Sequence, residues 1–181
     1  MTGLSLMLAL LLPPQVVEQT PVDAVALALA KGSAAEAVAD GKRMIEAADA
    51  LDAMGARPEA GTIALSVQWR AAAKRLGVMA QATPYRGRAL GPAYRSGVLK
   101  AGANLTTEQV FLAGRKATVA LVPREPASLD LKIIGDGPVD LCSRVANPQA
   151  TCDWMPVFTQ RVRIRVENRS PRQASYFLVS N

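Results

Sequence analysis

The chain has 181 residues, half of them hydrophobic, carries a formal net charge of +6, and contains no histidine. That length and apolar content support a real core, in one ordinary domain or two small ones, and exclude global disorder. Without histidine, Ser-His-Asp, Cys-His and histidine–zinc chemistry are excluded, which leaves carboxylates, lysine or a serine–lysine pair as the chemistry to look for.

Aromatic residues make up only 4% of the chain, and much of its apolar content is alanine, a composition suited to close-packed helices more than to a large aromatic pocket. The basic residues are dispersed, with no helix-turn-helix, zinc-finger or RNA-binding signature beside them, so no specific nucleic-acid partner is expected. Leu4 to Leu12 is an apolar run broken at once by Pro13-Pro14. It has the length of a signal-peptide core and is too short to span a bilayer. No Lys or Arg precedes it and no clear small-x-small cleavage site follows. Residues 1–19 are therefore read as a signal peptide, with a retained anchor or an ordinary buried segment as the alternatives. A periplasmic or secreted bacterial protein is expected, with no transmembrane span in the mature chain.

Residues 20–82 are punctuated as helices. Thr20-Pro21-Val22-Asp23 sets a capping threonine, a first-turn proline and an acid before an apolar run that stops at Lys31-Gly32. Ser33-Ala34-Ala35-Glu36 has the form of a capping box and predicts a second helix, closed by Gly55, with Val38, Ile45, Ala48 and Leu51 at helical spacing. A third helix is predicted from Pro58-Glu59 to about Ala80, with Arg70, Lys74 and Arg75 in its later turns, where positive charge suits the helix dipole. The short connections predict antiparallel packing, a helical hairpin of two to three helices.

Residues 83–104 are rich in breakers, Thr83-Pro84-Tyr85-Arg86-Gly87 and Gly91-Pro92 among them, and read as a linker or entry segment. Residues 105–181 then turn to period two. Ala117, Val119 and Leu121 alternate, as do Leu129, Leu131 and Ile133, and Val162, Ile164 and Val166; Val139-Asp140-Leu141 and Tyr176-Phe177-Leu178-Val179 add two further segments. Half-buried strands between turn signals predict an antiparallel, jelly-roll-like β-sandwich, making the fold class α+β. Cys142 and Cys152 are the only cysteines and flank a turn-rich stretch containing Asn147-Pro148. In an exported chain they read as a structural disulfide; two free buried thiols and a redox pair are the competing readings.

The segment from about Leu105 to Asn181 resembles the bacterial pre-peptidase C-terminal domain, a β-sandwich module appended to secreted enzymes. The resemblance rests on Val110-Phe111-Leu112-Ala113-Gly114, on Leu129-Asp130-Leu131 followed by Gly135-Asp136-Gly137, and on Val162 to Asn168 leading to a strand at Tyr176. It implies a non-catalytic accessory role, although none of these 181 residues reads as a protease domain. Some related sandwiches bind calcium through acidic clusters, whereas the spacing of Asp130, Asp136, Asp140 and Asp153 matches no calcium loop.

Arg161, Arg163 and Arg165 alternate with Val162, Ile164 and Val166, which puts three guanidinium groups on one side of a strand. They are the candidate site for a polyanion or lipid headgroups; the alternative is a solvated face whose charges discourage edge-to-edge pairing. Glu125, Asp130, Asp136, Asp140 and Asp153 are the carboxylates available to a hydrolase, with strand surface and turn as their competing roles. No S-x-x-K motif occurs. Trp154 is expected to pack on the sandwich core beside the cysteines and Met155-Pro156, and Trp69, Tyr85 and Tyr94 are the residues available for an aromatic platform. The reading is an exported, non-enzymatic binding or assembly module with no cofactor and no metal, whose partner is a protein or an envelope polymer. Its rivals are a polyanion binder using the three arginines and a carboxylate-only hydrolase.

Overall fold

The computed structural model describes residues 19–79, 90–137 and 140–181. Three helices, α1 (Pro21–Ala37), α2 (Gly41–Ala53) and α3 (Leu65–Arg75), are interrupted by a two-residue strand, β1 (Arg57–Pro58). Strands β2 (Ala93–Leu99), β3 (Asn104–Phe111), β4 (Ala117–Pro123), β5 (Leu129–Ile134), β6 (Asp140–Ala146), β7 (Ala150–Trp154), β8 (Gln160–Asn168) and β9 (Ala174–Ser180) follow. They build a five-stranded sheet in the order β1-β2-β9-β4-β7 and a four-stranded sheet in the order β3-β8-β5-β6. All pairings are antiparallel except β1 with β2. The fold is thus α+β with a two-sheet sandwich.

The helices lie on the outer face of the five-stranded sheet, which therefore has a core on each side. Toward the helices, Tyr94, Ala120, Val122, Phe177 and Val179 join Val22, Val25, Leu29, Met44, Leu51 and Trp69. Toward the other sheet, Val119, Leu121, Tyr176 and Leu178 meet Leu129, Leu131, Ile133, Val162, Ile164 and Val166. The helical and β parts share a core for this reason, and β4 is buried along both faces where alternation predicts one solvated side.

The first helix does not stop at Gly32. It runs through Gly32 and Ser33 to Ala37, and the predicted capping box opens nothing, because the Ser33 hydroxyl accepts a bond from Arg124 Nε at 3.1 Å across the layer. Gly32 is the point of closest approach to α3: a Cβ there would lie 2.6 Å from Trp69 Cζ2 and nearer still to Cη2 and Cζ3. Asp40 caps α2 instead, accepting from Arg43 N at 3.1 Å after Ala39 takes φ 54°. The third helix begins seven residues later than Pro58, since Arg57 and Pro58 pair with Ala93 and Tyr94. At α1 the predicted cap holds: Thr20 Oγ1 accepts from Asp23 N at 3.1 Å. The Asp23 carboxylate accepts from Thr151 Oγ1 at 2.9 Å and Gln149 Nε2 at 3.1 Å, which fastens the helix to the edge strand β7.

The predicted linker also differs. Its residues 83–89, like residues 80–82 before it, lie outside the described residues, and Ala93–Leu99 is a strand paired along its length with β9. Gly97, which reads as a breaker, sits under the Tyr176 ring, 2.8 Å from Cε1 to a Cβ placed there. Residues 1–18 and Val139 lie outside the described residues as well.

Cys142 and Cys152 form a disulfide. It links β6 and β7, the edge strands on the same side of the two sheets, and so closes that side of the sandwich. Among the described residues no helix is long and apolar enough to cross a membrane.

Candidate functional site

Strand β8 lies between β3 and β5, and its inward residues Val162, Ile164 and Val166 are fully buried. Arg161, Arg163 and Arg165 consequently share the outer face with their cross-strand neighbours, Val110, Glu108 and Thr106 on one side, Ile134 and Lys132 on the other. This is a mixed field. Arg161 pairs with Glu108 at 3.2 Å, Arg165 with Glu167 at 3.6 Å, Lys132 with Asp140 at 2.8 Å, and Arg169 with Asp130. Glu108 stands directly opposite Arg163 yet turns its carboxylate to Arg161. Among the described residues no carboxylate lies within ion-pair distance of Arg163. Of the three arginines, Arg163 alone keeps its charge unpaired on an exposed strand position.

The stripe ends at a patch of different character. The β3–β4 turn and the β7–β8 loop both cross between the sheets at this end, and two hydrogen bonds join them: Gly114 N to Pro156 O at 2.9 Å and Ala113 N to Thr159 Oγ1 at 3.2 Å. Together they expose Leu112, Met155, Val157 and Phe158, with Val157 at 89% and Phe158 at 60% accessibility. Val110 adds to the patch beside Arg161. Four exposed apolar residues thus lie on two hydrogen-bonded loops, whereas single exposed apolar side chains are ordinary. Met155 is exposed and not packed beside the cysteines. Trp154 does pack on the sandwich core, edge-on to Phe111 at 4.8 Å between centroids, and Pro156 is buried, so the loop is anchored at its base and apolar at its tip. Exposed arginine Arg115 flanks the turn, and Lys116 pairs with Asp153 at 3.0 Å.

The sequence-predicted carboxylates are dispersed. Asp130, Asp140 and Asp153 are each held by a different cation, Glu125 accepts from Ser175 N at 2.6 Å, and Asp136 is exposed in the turn after β5. Among the described residues Trp69 and Tyr94 do not form a platform either: Trp69 is fully buried under Gly32, while the Tyr94 hydroxyl accepts from Leu65 N at 2.9 Å at the start of α3. Burial pushes the phenols of Tyr94 and Tyr176 above their ordinary value, with Arg95 opposing the rise at Tyr176. Tyr85 lies outside the described residues. Desolvation works to lower the Arg70 guanidinium, but the Asp49 and Asp52 carboxylates, both at 2.6 Å, reverse that and raise it, clamping α3 to α2.

Two of the concavities among the described residues differ in character. A groove of about 770 Å³ runs between α1 and α2, lined largely by alanines with Leu27, Val38 and Met54. A cleft of about 220 Å³ opens between the sheets where inward positions turn polar, with Arg95, Thr107, Gln109 and Ser180 among its walls. Among the described residues no cluster of three or more Asp, Glu or Cys side chains is placed to hold a metal ion.

No family model matches the chain, and no curated protein matches it. Among solved structures, the Yersinia pseudotuberculosis-derived mitogen is 10% identical with a TM-score of 0.42, over 50% of this chain and 85% of that one. The Aeromonas hydrophila periplasmic inhibitor of g-type lysozyme, PliG, is 15% identical with a TM-score of 0.39, over 50% and 84%. The pre-peptidase C-terminal domain of a Bacillus anthracis collagenase is 12% identical with a TM-score of 0.42, over 49% and 87%. Likeness at this level extends to no ligand or activity, and the sandwich assignment rests on the strand pairing of this chain itself.

Proposed function

We propose that the chain is an exported, non-enzymatic binding module of the bacterial envelope that engages an anionic partner through the outer face of the four-stranded sheet. One observation carries the reading: Arg163 keeps an unpaired charge in the middle of an otherwise neutralised field, next to a loop end that exposes apolar side chains instead of burying them. Fully paired cations would have to give up a partner for each new contact, whereas an unpaired guanidinium gives up only water. Export is supported by the Cys142–Cys152 disulfide, which belongs to oxidising compartments, and by the signal-like run Leu4 to Leu12. The order of motifs resembling the pre-peptidase C-terminal domain supports an accessory role. The separate engagement of Asp130, Asp140 and Asp153 disfavours the carboxylate-only hydrolase, which needs two carboxyl groups in one cleft.

Two measurements test it. Intact mass of the protein from the native envelope fraction, with and without reduction before thiol alkylation, reports both processing and the disulfide; two thiols that alkylate without reduction refute export. Retention on immobilised heparin, a soluble polyanion, should weaken steeply with salt and fall by about fivefold in Arg163→Gln. Equal retention of Arg163→Gln removes the outer face as the binding surface.

A further inference from the structure

We infer that the occupant of this surface is an anionic lipid bilayer, docked with the β3–β4 and β7–β8 loops pointing into it. The inference rests on the reading of the outer face as an anion-binding surface and names the partner. A soluble polymer offers phosphate, sulfate or carboxylate to Arg163 but nothing to Val157 and Phe158, which lie at the adjoining end of the sandwich. A bilayer interface offers both, an apolar boundary for the loop tip and a layer of anionic headgroups for the cations behind it.

The geometry fits that stacking. Leu112, Met155, Val157 and Phe158 occupy the tip, and their loops are tied together by the Gly114–Pro156 and Ala113–Thr159 bonds, so that they present as a unit. Pro156 is buried between them and Trp154 packs on Phe111, which anchors the loop before anything binds and lowers the ordering cost of insertion. Behind the tip stand Arg115 in the turn and Arg163 on β8, neither with a carboxylate at ion-pair distance among the described residues. Asp153 and Glu108, carboxylates on the strands that lead into these loops, are already neutralised by Lys116 and Arg161. The excess charge of the docking end is therefore positive, matching an anionic surface. The α1–α2 groove carries charges of both signs on its walls, Lys31, Arg43 and Glu46, and so has no single-sign pattern to identify what fills it.

The test is co-sedimentation of the full chain, as recovered from the envelope, with vesicles of phosphatidylcholine alone or mixed with phosphatidylglycerol, with heparin retention measured in parallel. The expected result is binding to the mixed vesicles that weakens at least about fivefold on pure phosphatidylcholine and about fivefold in Arg163→Gln. Val157→Ser with Phe158→Ser should lower vesicle partitioning at least about tenfold while leaving heparin retention unchanged. Both positions are exposed, and an unaltered urea midpoint verifies folding; Val157→Ser alone, expected to lose about threefold, provides a milder variant. Vesicle binding that is indifferent to these loop variants overturns the inference. Heparin retention without vesicle binding overturns it and leaves the anion-binding face standing, whereas loss of both removes the two together.

Discussion

Replacing Gly32 by alanine sets two known effects against each other. In an exposed helix interior the change stabilises by about 1 kcal/mol, because glycine has more backbone freedom to lose. Here the added methyl would lie within 2.6 Å of three Trp69 ring atoms, and that ring is fully buried and held by its Nε1 donating to Glu36 at 3.3 Å, so it can yield only by displacing its neighbours. Overpacking costs about 1–3 kcal/mol, and with three ring atoms within 2.6 Å of the added carbon the upper part of that range, about 2–3 kcal/mol, applies; less the helix gain of about 1 kcal/mol, Gly32→Ala should be less stable by about 1–2 kcal/mol. Urea denaturation reads this as a midpoint lower by roughly 0.5–1 M at an unchanged slope, given the slope expected for a small domain. The second arm is Trp69→Leu, which removes the ring: in that background Gly32→Ala should become neutral or stabilising, a coupling visible in the double-mutant cycle. If Gly32→Ala raises the midpoint with Trp69 intact, the close approach of α1 and α3 is not where the structure puts it.

Three further predictions bear on what holds the layers together. Asn168 is fully buried and donates to the carbonyls of Leu99 at 3.0 Å, Lys100 at 3.1 Å and Arg172 at 2.8 Å while accepting from Ser170 N at 2.9 Å, so Asn168→Ala should cost about 2–3 kcal/mol in urea unfolding by stranding several polar groups; a loss under about 0.5 kcal/mol would contradict that network. Replacing both cysteines by serine should cost about 2.5–3 kcal/mol, since Cys142 and Cys152 close a loop with a sequence separation of 10, and the same loss should appear on reduction of the parent. Tyr94 and Tyr176 are kept neutral by burial, with folded pKa values above the unfolded value near 10, so the stability they contribute is complete below pH 10 and declines as pH rises toward the folded values, where the unfolded phenols ionise first. Absorbance titration near 295 nm should show phenolate forming later in the folded chain than in urea; coincident curves would place both rings in water.

Local physics explains what was legible in the residues. The cap at Thr20-Pro21 with Asp23, the alternation of Leu129, Leu131 and Ile133 and of Val162, Ile164 and Val166, and the pairing of Cys142 with Cys152 all depend on neighbours within a turn or a strand, or on two groups with no other partner of their kind. From these the α+β class and the sandwich followed. Elements governed by distant residues did not: Ser33 has the form of a cap until Arg124, 91 residues away, takes its hydroxyl, and Gly32 has the form of a stop until Trp69 explains it. Gly97 inside β2 and the two-sided burial of β4 have the same cause, since a glycine or an uninterrupted apolar run carries no mark of which ring or which second layer will cover it. At the candidate site, period two placed Arg161, Arg163 and Arg165 on one face, but which of them stays unpaired depends on the register of β3 against β8, and the exposure of Val157 and Phe158 on how two loops that cross between the sheets meet. Patterning within a strand is a property of the sequence by itself, whereas charge balance across strands and the exposure of a loop tip exist only once the chain has been folded against itself.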